Sequence, residues 1–188
     1  MIDGGLGWCS TWDWLVRLGA RPLRFLAVSD IEIRPSRFGA PVAQALVAAA
    51  MADLGARYGG TGDDNPVEAT QFDPPEGAFL LAWLNGEAVG CGGWRTLAHY
   101  TDAGTAEDVA EIKRMYTVPH VRGQGVASMI LSAIEDSARE AGMHRAVLEC
   151  GDKQPEAVAL YAGCGYSRIT NYGYYKDAPG CISFGRDL

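Results

Sequence analysis

The segment VPHVRGQGVASMIL, residues 118–131, places Arg122 ahead of two glycines, Gly123 and Gly125, that flank Gln124. An alternating run precedes it and a run of helical periodicity follows. Glycines at such a junction leave backbone N–H groups uncovered at a helix N-terminus. Those donors, with the helix dipole, suit a phosphate. A plain tight turn would explain neither the arginine nor the helix start. The P-loop of nucleotide triphosphatases is excluded, because Val126-Ala127 stands where a Lys-Ser/Thr pair is required. The dinucleotide fingerprint fits weakly, because GQGVAS lacks the third glycine and comes late in the chain.

Other reactive residue types are less organised. Cysteines stand at 9, 91, 150, 164 and 181, an odd count without a CxxC pair. That disfavours a disulfide framework or a zinc site and fits a reduced cytoplasmic setting. No histidine partner can be assigned to make Cys150 a nucleophile. His99, His120 and His144 have no ligand spacing. No metal is implied. Tyr172, Tyr174 and Tyr175 either line a pocket or face a core, and the core is the preferred reading.

The elements that position these residues follow from periodicity and turn chemistry. Residues 30–36 alternate up to a proline and predict a strand; residues 41–59 are alanine-rich between a proline and terminal glycines and predict a helix. Residues 59–77 are polar and rich in breakers, a long loop of the kind that often serves as a lid or binding loop. Residues 78–97 form a hairpin around Asn85-Gly86, the pair favoured in a type I′ turn. Residues 109–118 read as a strand with Glu111, Lys113 and Met115 on one face and Ile112, Arg114 and Tyr116 on the other. A helix over 125–142 carries an apolar stripe of Val126, Ile130 and Ile134 and ends at Gly142. A strand over 145–150, a helix from 154 to Gly165, and a closing pair of strands over 166–177 and 180–188 complete the order. The fold class is α/β (α+β): a mixed, mostly antiparallel central sheet flanked by helices, with a central βαβ unit.

The chain of 188 residues is expected to form a single domain over 30–188, preceded by an N-terminal extension over 1–29. Trp14, Leu15 and Leu18 can share one face of a short helix in that extension. Capping the domain, self-association and a poorly ordered tail all stay open for it. It is not a convincing signal peptide, because Asp3 replaces a basic start and charges interrupt each apolar run. No apolar stretch is long enough for a membrane span. A net charge of −7 disfavours nucleic acid as a partner and mildly favours a cationic or amine substrate.

Two segments resemble one family. Arg122-x-x-Gly125-x-Ala127 fits the (Arg/Gln)-x-x-Gly-x-(Gly/Ala) signature of the GNAT superfamily of acetyl-CoA-dependent N-acetyltransferases. AVALYAGCGY, residues 157–166, resembles that family's second signature, with Tyr166 in place of the usual Phe. The resemblance covers residues 30–188 in element order. It implies that the amides of Gln124, Gly125, Val126, Ala127 and Ser128 bind the pyrophosphate of acetyl-CoA beside Arg122. Gly123 and Gly125 would let the backbone approach it, since no Cβ intervenes. The backbone of Met115, Tyr116, Thr117 and Val118 would pair with the pantetheine arm like an added strand. Gln154 stands where the family often carries Asn, and its extra methylene moves the amide.

The resemblance also implies direct acetylation of an amine, which needs a base for the ammonium proton and an acid for the thiolate. Glu111 is the candidate base, on the strand where some family members carry a glutamate. An ordinary strand glutamate paired with Lys113 or Arg114 is the alternative. Glu149 is the rival, as base or substrate ligand, and burial among apolar neighbours would raise its pKa. Tyr161 matches the family tyrosine beside the CoA sulfur and is the candidate acid. An N–H near Met115 or Tyr116 would hold the thioester oxygen. The expected partner is an amine-bearing small molecule, with the enzyme a monomer or homodimer in the cytoplasm. Acetylation of protein amines and a non-catalytic acyl-CoA sensor remain as alternatives.

Overall fold

The computed structural model describes residues 30–97 and 108–188. The expected N-terminal helix, Cys9 and His99 lie outside these residues. Strand β1 (Ile31–Ser36) is followed by helix α1 (Pro41–Tyr58), strands β2 (Gly77–Leu84), β3 (Glu87–Thr96) and β4 (Val109–Thr117), helix α2 (Val126–Glu140), strand β5 (Arg145–Gly151), helix α3 (Pro155–Gly163), and strands β6 (Ser167–Arg168) and β7 (Cys181–Asp187). They form one seven-stranded sheet in the order β1-β2-β3-β4-β5-β7-β6. Among the described residues only β4 and β5 pair in parallel; every other pair is antiparallel. The β2–β3 turn is the expected type, with Asn85 at φ 52° and Gly86 at φ 82°.

Each face of the sheet is covered by a helix. The α2 stripe of Val126, Ile130, Leu131 and Ile134 packs on Leu80, Trp94, Ile112 and Leu148. Burying a side chain such as Ile130 stabilises the fold by about 1.5–3 kcal/mol. The Trp94 indole donates to Ser137 Oγ at 3.1 Å, so its one polar atom is satisfied. On the other face α1 sets Ala43, Leu46 and Val47 against Phe79, Leu81 and Cys91. Phe72, in a short turn over Ala69–Phe72, stacks on Phe38 at 4.7 Å and anchors the long 59–77 loop to this second core. Among the described residues, no helix is long and apolar enough to cross a membrane.

Two sequence expectations change. The alternation along β4 does not run through. Opposite β3 the register passes from Cys91↔Tyr116 to Gly93↔Lys113, so β4 holds one extra residue there. Arg114 has φ 60°, and the bulge reverses every side chain beyond it. Met115 therefore joins Ile112 in the α2 core, and Tyr116 packs on the α1 side. The closing strand expected over 166–177 shrinks to Ser167–Arg168. Asn171 takes the place of a backbone partner: its Nδ2 donates to the Cys181 carbonyl at 3.0 Å and its Oδ1 accepts from the Ser183 amide at 3.1 Å. Gly173 and Gly180, both at positive φ, then turn the chain off the sheet.

Candidate active site

Strands β4 and β5 pair only from Val109↔Arg145 to Glu111↔Val147. Beyond that they diverge, and a cavity of about 370 Å³ opens between Ile112–Met115 on one side and Glu149–Gly151 on the other. The C-terminal half of α1 contributes Met51, Leu54 and Tyr58, and α3 contributes Tyr161. Asp63 and Asp64 from the long loop, and Tyr175 from the segment before β7, complete the wall. The preference for core tyrosines is thus corrected in part: Tyr175 lines the cavity, Tyr174 is exposed, and Tyr172 packs near Val109 and Val147.

The glycine segment lies at the start of α2 and does not line this cavity. Gly123 (φ 75°) and Gly125 (φ 82°) take left-handed conformations that other residues adopt at a cost of roughly 1–2 kcal/mol. Gly125 caps α2; its carbonyl accepts from the Met129 amide at 3.1 Å and from Ser128 Oγ at 2.7 Å. The amides of the first helical turn, Val126, Ala127 and Ser128, therefore have no intrahelical acceptor. The Gln124 side chain folds back to the His120 carbonyl at 3.0 Å, which keeps it off the turn. Arg122 donates to the Thr117 carbonyl at 3.0 Å, reaches Asp53 of α1 at 3.3 Å, and lies over the Tyr116 ring at 5.6 Å. Its guanidinium is thus held against β4 and α1. Met115, Tyr116 and Thr117 connect this end to the cavity along β4. The Val118 amide donates to the Val89 carbonyl at 2.9 Å and its carbonyl accepts from the Val121 amide at 3.2 Å, so Val118, expected to pair with the pantetheine arm, already has both backbone groups occupied.

The two candidate carboxylates have different surroundings. Glu149 lines the cavity, with Lys113 Nζ 3.6 Å from its Oε2 and Cys181 Sγ 3.9 Å from its Oε1. Burial pushes its pKa up; Lys113 opposes this and the Glu111 charge reinforces it. Glu111 is only 1% exposed and is not part of the cavity wall. Arg95 Nε donates to its Oε2 at 2.7 Å, and Lys113 Nζ is 3.3 Å from its Oε1. Arg95 in turn donates to Gln71 Oε1 at 2.7 Å, so a row of alternating charges runs from the long loop to Glu149. Tyr161 is buried against Tyr166 and Phe184 and lines the cavity; burial raises its pKa, and the phenol keeps its proton. Gln154 stands at the start of α3 and also reaches the wall.

Residues 44–166 match the family model described as Acetyltransferase (GNAT) family. The chain belongs to the GNAT acetyltransferase family. An IAA acetyltransferase of Azospirillum brasilense is 36% identical over 105 residues, 56% of this chain and 64% of that protein. An aminoglycoside N(6′)-acetyltransferase type 1 of Stenotrophomonas maltophilia is 28% identical over 131 residues, 69% of this chain and 86% of that protein. A GNAT acetyltransferase from Elizabethkingia anophelis, solved with acetyl-CoA bound, has the same fold, with a TM-score of 0.58 at 19% identity over 85% of this chain and 99% of that one.

Within this GNAT protein, sequence reasoning named Glu111, Glu149, Tyr161 and Gln154, and the structure brings the last three to one cavity. It named the loop over 59–77 as a lid or binding loop, read its acidic stretch 64–77 as either a cover for a cationic acceptor or, preferably, a solvated loop, and missed Asp63. It also missed the inward turn of Arg114, which lines the cavity from the bulge and is ion-paired with Asp63. The signals for Asp63 were the length and the acidic character of its loop. No periodic signal marks a bulge at a non-glycine residue.

Proposed function

We propose that this protein transfers the acetyl group of acetyl-CoA directly to a primary amine of a small molecule. The observation that carries this reading is that Glu149 and Tyr161 line one cavity at the divergence of β4 and β5. The free amides at residues 126–128 and the Arg122 cation suit the pyrophosphate, and the unpaired edge of Met115–Thr117 suits the pantetheine arm. Glu149, rather than Glu111, is the base, because it reaches the cavity and its raised proton affinity suits removal of an ammonium proton. Lys113 keeps Glu149 ionisable, and Glu111, clamped by Arg95, holds Lys113 in place.

The freed nitrogen attacks the thioester carbon, and an N–H near Met115 or Tyr116 stabilises the charge developing on oxygen. As the C–S bond breaks, Tyr161 supplies the sulfur with a proton and recovers one from the product nitrogen. The ammonium loses two protons in all: one ends on the CoA thiol and one in solvent. The names of the IAA and aminoglycoside relatives support a small-molecule acceptor over a protein one. Residues 30–188 act as one catalytic domain in this reading, with 1–29 as an extension. Thiol release measured across a panel of free amines and peptides tests it. Release with peptides alone would overturn the small-molecule assignment; release with neither would overturn the transferase.

A further inference from the structure

The acceptor side of the cavity holds two cations among the described residues, Lys113 and Arg114, and acids already match both. Lys113 lies between Glu111 and Glu149, at 3.3 and 3.6 Å. Arg114 is paired with Asp63 and also donates to the Asn65 carbonyl at 3.3 Å. The other Asp63 oxygen accepts from the Asn65 amide at 2.9 Å and from the Tyr175 hydroxyl at 2.8 Å. The pair is enclosed, with the Arg114 side chain 6% and the Asp63 side chain 14% exposed. Burial works against ionised Asp63, but Arg114, the Asn65 amide and Tyr175 together hold its pKa below the usual carboxylate range. The nearby wall from α1 is apolar: Ala50, Met51 and Leu54.

An incoming ammonium meets Glu149 and Asp64, whose carboxylate accepts from the Thr61 hydroxyl, while both cations of the wall are already compensated. An incoming carboxylate meets no free cation. To reach Arg114 it would have to displace Asp63 and leave that carboxylate buried without its partner. We infer that the acceptor is a primary amine with an apolar body and no anionic group, and that Asp63 enforces this choice by occupying Arg114. Asp63 is then a specificity-determining residue that acts through Arg114. The Arg114 Nε is buried without a hydrogen-bond partner, so a guanidinium released from Asp63 offers an unfilled donor to an anion. The inference rests on the N-acetyltransferase reading above.

The test compares acceptors that differ only by a carboxylate: isopentylamine with leucine, and 2-phenylethylamine with phenylalanine. Initial rates of thiol release from acetyl-CoA are measured on the full chain. For the wild type, kcat/KM for each amine should exceed that for its amino acid by at least about 100-fold. Asp63→Asn keeps an acceptor for Tyr175 and Asn65 but removes the charge. It should narrow that ratio by at least about tenfold, through a gain for the amino acid. Arg114→Gln leaves Asp63 in the wall without its cation, so it should hold the ratio at or above the wild-type value with no gain for the amino acid, and it gives the second reading if the Asp63 variant does not fold. Equal use of amino acids by the wild type overturns the inference. So does an unchanged ratio in an Asp63→Asn protein that still binds acetyl-CoA, or a ratio narrowed by a gain for the amino acid on Arg114→Gln. Binding of acetyl-CoA with transfer to no amine would instead overturn the transferase reading, and the inference with it.

Discussion

The two ends of the site are built in different ways. The turn at residues 122–128 is contiguous: its glycines, its arginine and the helix start lie within one short segment. The cavity draws on α1, the long loop, β4, β5, α3 and the segment before β7. A phosphate can be held by backbone amides, which any sequence supplies once the backbone takes the right shape. Selecting an amine and moving its proton needs particular side chains at particular distances, and those come from several elements. The first task tolerates variation in side chains; the second depends on tertiary placement.

Substitutions can break this division of labour. Glu149→Gln should lower kcat by about 10²–10⁴-fold while calorimetric affinity for acetyl-CoA stays near wild type. A loss of affinity instead would mean that the cavity and the turn are not separate in function. Arg122→Glu should do the converse, weakening acetyl-CoA binding by about tenfold or more through charge reversal beside the free amides. An unchanged dissociation constant would remove Arg122 from the cofactor site. Tyr161→Phe should reduce the transfer rate more than the affinity; a wild-type rate would leave Tyr161 a packing role against Tyr166 and Phe184.

The two glutamates sharpen the comparison further. Glu111→Ala leaves Arg95 without its carboxylate in a buried setting and Lys113 with Glu149 alone, and should cost about 3–5 kcal/mol of stability, read by denaturant unfolding. Glu149→Gln should unfold close to wild type. The smallest effect concerns pH. Transfer requires ionised Glu149, so kcat/KM should fall on the acid side as that carboxylate takes up a proton. Lys113 favours the ionised form, so Lys113→Met should raise the pKa of Glu149 and move the acid limb of the profile to higher pH. A limb that stays in place would separate Lys113 from the base.

Much of this molecule was legible in the chain. Element order came from local periodicity, and the type I′ turn at Asn85-Gly86 from backbone preferences at two residues. The glycine turn at residues 122–128 was legible because its residues are adjacent. The short β6 was not, because Asn171 replaces a backbone partner with its side chain, and the tyrosines around it look like strand residues.

By itself, the sequence determined the order of strands and helices and the turn at Arg122 to Ser128. These depend on interactions between residues close in the chain, which leave periodic or positional marks. Tertiary structure alone decided which glutamate faces the cavity. Glu111 and Glu149 are both strand glutamates, but β4 and β5 separate just beyond Glu111, so one is sealed beside Arg95 and the other opens to the cavity. It also decided the pairing of Asp63 with Arg114, two residues 51 positions apart brought together by a single bulge. Charge pairs across such a separation carry no local signature, because their energy depends on distance and burial, and both are set by the completed fold.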